Sequence, residues 1–189
     1  MKRVRLVLPV VCFWVAGLCF GVLAQGQSEE QFKYGGGKAT CKSCHLSKKS
    51  GAQYKIWEAG PHAKAFETLQ SHKAKEVGKK LGVDNPAASD KCLKCHVTAF
   101  GVEDDLKGPK FSSEEGVGCE ACHGPGSGYK SRKVMKDLYA GTLDPAAYGL
   151  VKPVTEKVCV RCHNKESPTY EKFVFEEGFA KIAHPVPKD

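Results

Sequence analysis

The sequence predicts a mainly α-helical chain with long loops and little β structure, in which bound groups rather than packed side chains make the compact core. Two observations lead there. The string Cys-x-x-Cys-His occurs four times, at Cys41–His45, Cys92–His96, Cys119–His123 and Cys159–His163. Two thiols three positions apart can each bond one vinyl group of a haem, and the adjoining histidine then reaches the iron, so four strings imply four covalently attached haem c groups. The other observation is size. Only about 40 residues stand behind each string, too few to close a separate polypeptide core around it.

Zinc is the competing chemistry for paired cysteines, but a zinc site takes four ligands from two such pairs and requires no histidine directly after the second cysteine. The cofactor-binding residues are therefore Cys41, Cys44, Cys92, Cys95, Cys119, Cys122, Cys159 and Cys162, and the first iron ligands are His45, His96, His123 and His163. All eight cysteines beyond residue 24 belong to these strings, which leaves none for a structural disulfide.

Residues 1–24 read as an export signal. Lys2, Arg3 and Arg5 precede an apolar run from Leu6 to Leu23, and Val22-Leu23-Ala24 suits cleavage before Gln25. An apolar run of about 18 residues could also anchor the chain in a membrane. Pro9 and the abrupt polar stretch after Ala24 favour cleavage. Export to the periplasm or the cell exterior agrees with thioether attachment, which is made outside the cytoplasm. The formal charge of +8 shrinks once the three basic residues of the signal leave. Two propionates on each of four haems would turn the remainder slightly negative, so the lysine excess is no nucleic-acid footprint, and no nucleic-acid module is present.

Residues 25–40, with Gly35-Gly36-Gly37, read as a flexible lead-in, and residues 41–189 as one cytochrome domain. Gly51 to Ala59 forms a short helix, broken by Gly60-Pro61. Pro61 opens a second helix running through Leu69 towards Leu81, with His62, Phe66 and Leu69 on one stripe. Ala87 to Lys94 makes a helix ending at the second string. Phe100 to Gly118, rich in glycine and charge, is a loop. Gly128 to Tyr139 suggests a basic helix, and Thr155 caps a short one before the fourth string. A last helix from Tyr170 to His184 aligns Phe175, Phe179 and Ile182 and stops at Pro185. The unequal spacing of the strings excludes a solenoid.

Three histidines are left over for four irons. His62 begins an apolar stripe and His184 adjoins one, so both are candidate sixth ligands; His72 lies in a charged stretch and reads as solvated. Met135, the one methionine beyond the signal, is a further candidate. At least one iron must stay five-coordinate, take another ligand type, or borrow a residue from a second molecule.

The phrases Cys41-Lys-Ser-Cys44-His45 with Trp57 and His62-Ala-Lys-Ala-Phe-Glu-Thr-Leu69, Cys92-Leu-Lys-Cys95-His96-Val-Thr-Ala-Phe-Gly101, and Gly116-Val-Gly-Cys119-Glu-Ala-Cys122-His123-Gly-Pro-Gly126 resemble the tetrahaem cytochrome c-554 family. The resemblance covers most of the chain beyond the signal. It implies a mainly helical protein with haems in close pairs. It further implies His62 as the distal ligand of the third haem, His184 as that of the fourth, and an open iron on His96. One departure stands out: the family carries a histidine after the third string that binds the first haem, and Gly124 to Asp137 contains none.

The function expected is electron transfer between redox partners, namely multihaem oxidoreductases or quinone-linked membrane cytochromes, with no catalytic side chains named. Two alternatives differ in class. An open iron could reduce nitric oxide, hydroxylamine or nitrite, and self-association could build a conducting filament in which one subunit's histidine fills the next subunit's iron.

Overall fold

The computed structural model describes residues 32–186. The expected export signal lies outside them. Among the described residues no helix is long and apolar enough to cross a membrane, and the only β pairing is an isolated parallel bridge between Tyr34 and Lys107.

Each Cys-x-x-Cys-His string folds as a helical turn. Helix α1 is Lys42–His45, preceded by a π-helical turn at Gly37–Cys41. Helix α2, Gln53–Ala59, starts where the chain turns through Gly51 and Ala52, both with positive φ, and it buries Tyr54. A 3-10 turn at His62–Lys64 leads into α3, Ala65–Thr68. The single long helix expected from Pro61 towards Leu81 is in fact broken at Ser71. The Ser71 hydroxyl accepts a hydrogen bond from the Ala74 amide and donates one to the Thr68 carbonyl, ending one helix and capping α4, His72–Lys80. Helix α5, Asp90–His96, begins later than the sequence suggests, because Asn85-Pro86 first makes a 3-10 turn at Pro86–Ala88.

The third string is α6, Cys119–His123. Helix α7, Arg132–Tyr139, is capped by the Ser131 hydroxyl rather than starting at Gly128. Helix α8, Glu156–Cys159, has Thr155 in the capping position but without a side-chain capping bond. The last helix, α9, Phe175–Ile182, starts five residues after Tyr170, and Ala183 is already extended.

The polypeptide core is thin. Among the described residues the buried apolar side chains are Tyr54, Leu69, Val83, Val97, Tyr129 and Leu138, few for a chain of this length. Backbone hydrogen bonds do part of the joining instead. The segment Gly116-Val117-Gly118, expected as plain loop, is a hub: the Val117 amide donates to the His62 carbonyl at 3.0 Å and its carbonyl accepts from the Trp57 indole at 2.8 Å. The buried Thr98 hydroxyl donates to the Gly116 carbonyl and accepts from the Gly118 amide. The first three strings are thereby tied through one short stretch.

The glycine-rich lead-in is also held, from Tyr34 onward. The carboxylate of Glu120, 2% exposed, accepts hydrogen bonds from the amides of Gly35, Gly36 and Gly126. Glu115 accepts from the Lys38 amide. The part of residues 25–40 that the structure describes is thus fastened onto the third string rather than a free tether, because two backbone amides meet a buried carboxylate that the Gly126 amide alone would leave under-satisfied.

Candidate functional site

A helical turn sets residues three apart on one side, so the two thiols of each string share a face with a histidine beside them. None of the eight cysteines is paired in a disulfide. Among the described residues no three His, Cys, Asp or Glu side chains gather into a cage for a single metal ion, which is what zinc would need.

The histidines are oriented by their Nδ1 atoms. His96 Nδ1 donates to the Ala65 carbonyl at 2.7 Å, His123 Nδ1 to the Val151 carbonyl at 3.3 Å, and His45 Nδ1 to the Gln53 side-chain oxygen at 3.3 Å. An acceptor on Nδ1 leaves Nε2 free for a metal and fixes the ring plane. The His163 ring is stacked on Phe173, with centroids 4.7 Å apart.

Two imidazoles face two of these rings. His62 and His163 have centroids 6.0 Å apart, and His184 and His123 have centroids 5.8 Å apart. With metal–imidazole bonds of about 2 Å and roughly 1 Å more to each ring centre, two imidazoles on opposite sides of one metal have centroids about 6 Å apart. The spacing fits an iron between each pair. Burial, then the neighbouring His163, holds His62 below the ordinary imidazole pKa; burial does the same to His123, and burial followed by His123 to His184. Each shift favours the neutral form, the one that binds metals.

The resemblance implied His62 for the family's third haem and His184 for its fourth; by string, His62 faces the histidine of the fourth and His184 that of the third. The turn at His62–Lys64, held against Val117, presents His62 to His163, and the extended chain after α9 brings His184 to His123. His72 meets neither: its side chain is 88% exposed and its Nδ1 lies 3.6 Å from Glu76.

Between the second and fourth strings lies a cavity of about 1200 Å³, walled by Cys92, Cys95, His96, Cys159, Cys162, His163 and His62. Most small-molecule pockets measure about 300–1,000 Å³, so this one has room for more than one such group. Leu81 and Phe100, each 40% exposed, face into it. A large flat apolar group would cover them.

The strings adjoin one another in a definite order. The entry to the first string meets the third, where the Gly36 amide donates to the Glu120 carboxylate at 2.7 Å. The Arg161 guanidinium reaches the Ala121 carbonyl at 2.6 Å, joining the fourth string to the third. Burial and the neighbouring Cys95 push the Cys162 thiol up to about 11, and Lys94 bonds Glu166, so the fourth string also meets the second. The order is first, third, fourth, second.

A family model described as cytochrome c554 and c-prime matches residues 40–124, which include the first three strings. A solved structure of reduced cytochrome c554 from Nitrosomonas europaea is 30% identical, covering 81% of this chain and 79% of that one with a TM-score of 0.52. The chain belongs to the cytochrome c554 family. A curated cytochrome c-554 from the same organism is 38% identical over 129 residues, 65% of this chain. The match spans 52% of the length of that relative. Membership in the cytochrome c554 family implies covalently bound haem c, and the paired thiols, the Nδ1 anchors and the facing imidazoles described above fit that group.

Sequence reasoning placed the eight cysteines and six histidines, but it missed Glu120, Gln53 and Arg161. Glu120 left one signal, being the only acidic residue between the cysteines of any string. Gln53 and Arg161 left none, since the Pro185 and Ala121 carbonyls they bond are distant in sequence and no motif marks Gln53 as the partner of His45.

Proposed function

We propose that the protein is an exported tetrahaem c-type cytochrome that carries electrons between redox partners in the periplasm or outside the cell. The observation that carries this reading is the set of bonds that links the four strings in the order first, third, fourth, second. Haem c supplies one-electron redox chemistry when bound. The chain's own residues would do the rest: Gln53, Ala65 and Val151 aim three histidines, and His62 and His184 would each supply a further ligand to one iron. The partners are other redox proteins, of the multihaem oxidoreductase or quinone-linked cytochrome type.

A second reading has its own support. No imidazole is paired with His96 among the described residues, and Lys73, Lys91 and Lys94 line the cavity beside it. An open iron reached past lysines suits a small nitrogen oxide or its anion.

The test combines three measurements on the purified holoprotein. Pyridine haemochrome assay against protein mass gives four haems per chain, potentiometric titration gives four electrons, and mass spectrometry places the mature terminus at Gln25. Fewer than four haems sinks the tetrahaem reading. Sustained turnover of nitric oxide, hydroxylamine or nitrite replaces the carrier by the enzyme.

A further inference from the structure

We propose that the first string, Cys41–His45, holds an iron whose sixth position no side chain among the described residues fills. It would be a second binding site for small neutral diatomics such as carbon monoxide or nitric oxide, besides the one on His96. The inference rests on the tetrahaem reading above.

The histidine, cysteine and buried tyrosine donors are assigned in turn, which leaves Met135 to the experiment below. The chain has seven histidines, four of them in the strings. Of the other three, His62 is spent on His163 and His184 on His123, each at the spacing of a pair across one metal. His72 projects into solvent from α4, beside Glu76, and α4 borders the cavity of the second and fourth strings, not the first. Every cysteine beyond the signal is already in a string. Tyr129, in the segment following the third string, is buried, but its hydroxyl is committed to the Gly124 carbonyl at 2.7 Å, and burial holds its pKa well above the usual range, against the phenolate that iron would need. Met135 is half-buried on α7 and is the one remaining soft donor.

The iron-binding face of His45 is nonetheless well prepared. Gln53 accepts from its Nδ1, and the same amide donates to the Pro185 carbonyl at 3.0 Å, so the ring is fixed from behind by a side chain that is itself fixed. A rigid proximal ligand without a distal partner is the arrangement that leaves an iron free for an exogenous ligand.

The experiment is carbon monoxide titration of the reduced holoprotein, with electron paramagnetic resonance of the oxidised form. Two carbon monoxide molecules per four haems, and two high-spin irons of four, are expected. His62→Ala and His184→Ala should each raise the count to three; His72→Ala and Met135→Leu should leave it at two. Gln53→Glu assigns the site: it should shift the carbon monoxide stretching frequency of one adduct and leave the other unchanged. A Gln53→Glu protein with four haems in which no adduct moves overturns the proposal, whether the wild-type count is one or two. A haem content below four overturns the tetrahaem reading instead. The wild-type counts need no variant to fold.

Discussion

The carboxylate of Glu120 accepts a 2.7 Å hydrogen bond from the amide of Gly36, across 84 residues of sequence. The same carboxylate holds the amides of Gly35 and Gly126. One side chain inside the third string therefore fastens both the entry to the first string and the loop that leaves the third. Gly126 has no room for a side chain there, since a Cβ would stand 2.8 Å from the carboxylate.

Glu120→Ala would strand three amide donors in a site that is 2% exposed. Each unsatisfied buried donor costs about 1–3 kcal/mol. A loss of several kcal/mol in denaturant unfolding of the holoprotein is expected. Glu120→Gln keeps one acceptor oxygen and should lose less. Equal losses for the two variants would show that the carboxylate is no clamp.

Gln53 couples the first string to the segment after His184 by accepting from His45 and donating to Pro185. Gln53→Leu removes both bonds with little change in volume. The imidazole of His45 then loses the acceptor that makes it electron-rich, so the potential of that haem should rise; a carboxylate in Gln53→Glu should lower it. Potentiometric titration resolves the direction. An unchanged potential in both variants would place His45 outside the influence of Gln53.

The fold and the site were legible to different depths. The string spacing identified the covalent attachment because thioether chemistry demands a local pattern; glycine and proline breaks bounded α2 and α5 within a few residues, and an apolar stripe found α9, although it starts five residues later than expected. The break at Ser71 was readable in principle, since serine before a charged helical run is a capping signal, but the apolar stripe from His62 to Leu69 masked it. Which distal histidine serves which string was not legible. That depends on how Val117 holds the His62 carbonyl and on where α9 ends, both of them contacts between distant segments.

Gly116 is the neighbour that keeps His62 in place. Its φ of +73° is in the left-handed region, and a Cβ there would lie 2.8 Å from the His62 carbonyl oxygen. Gly116→Ala thus adds backbone strain of about 1–3 kcal/mol and pushes on the turn that presents His62 to His163. Lower stability is expected together with a new high-spin signal from the fourth haem. Lower stability alone, with the low-spin signal intact, would separate the hub from the positioning of His62.

Lys94 and Glu166 join the second and fourth strings by an ion pair on the surface, with side chains 41% and 71% exposed. The hydrogen bond from Lys94, then its charge, lowers the Glu166 pKa; the hydrogen bond to Glu166, then its charge, raises that of Lys94. The lowered carboxyl contributes stability above its unfolded value of about 4.3 and loses it as pH falls through the folded value. The raised ammonium contributes below its unfolded value of about 10.4 and loses it as pH rises through the folded value. The pair is therefore at full strength between those limits, and solvent screening keeps it weak. A double-mutant cycle with Lys94→Gln and Glu166→Gln should give a small coupling in melting temperature at neutral pH and low salt. It should vanish at high salt and in acid. A coupling that survives high salt would mean that the two strings are held at this edge by packing, and that the ion pair only marks the place.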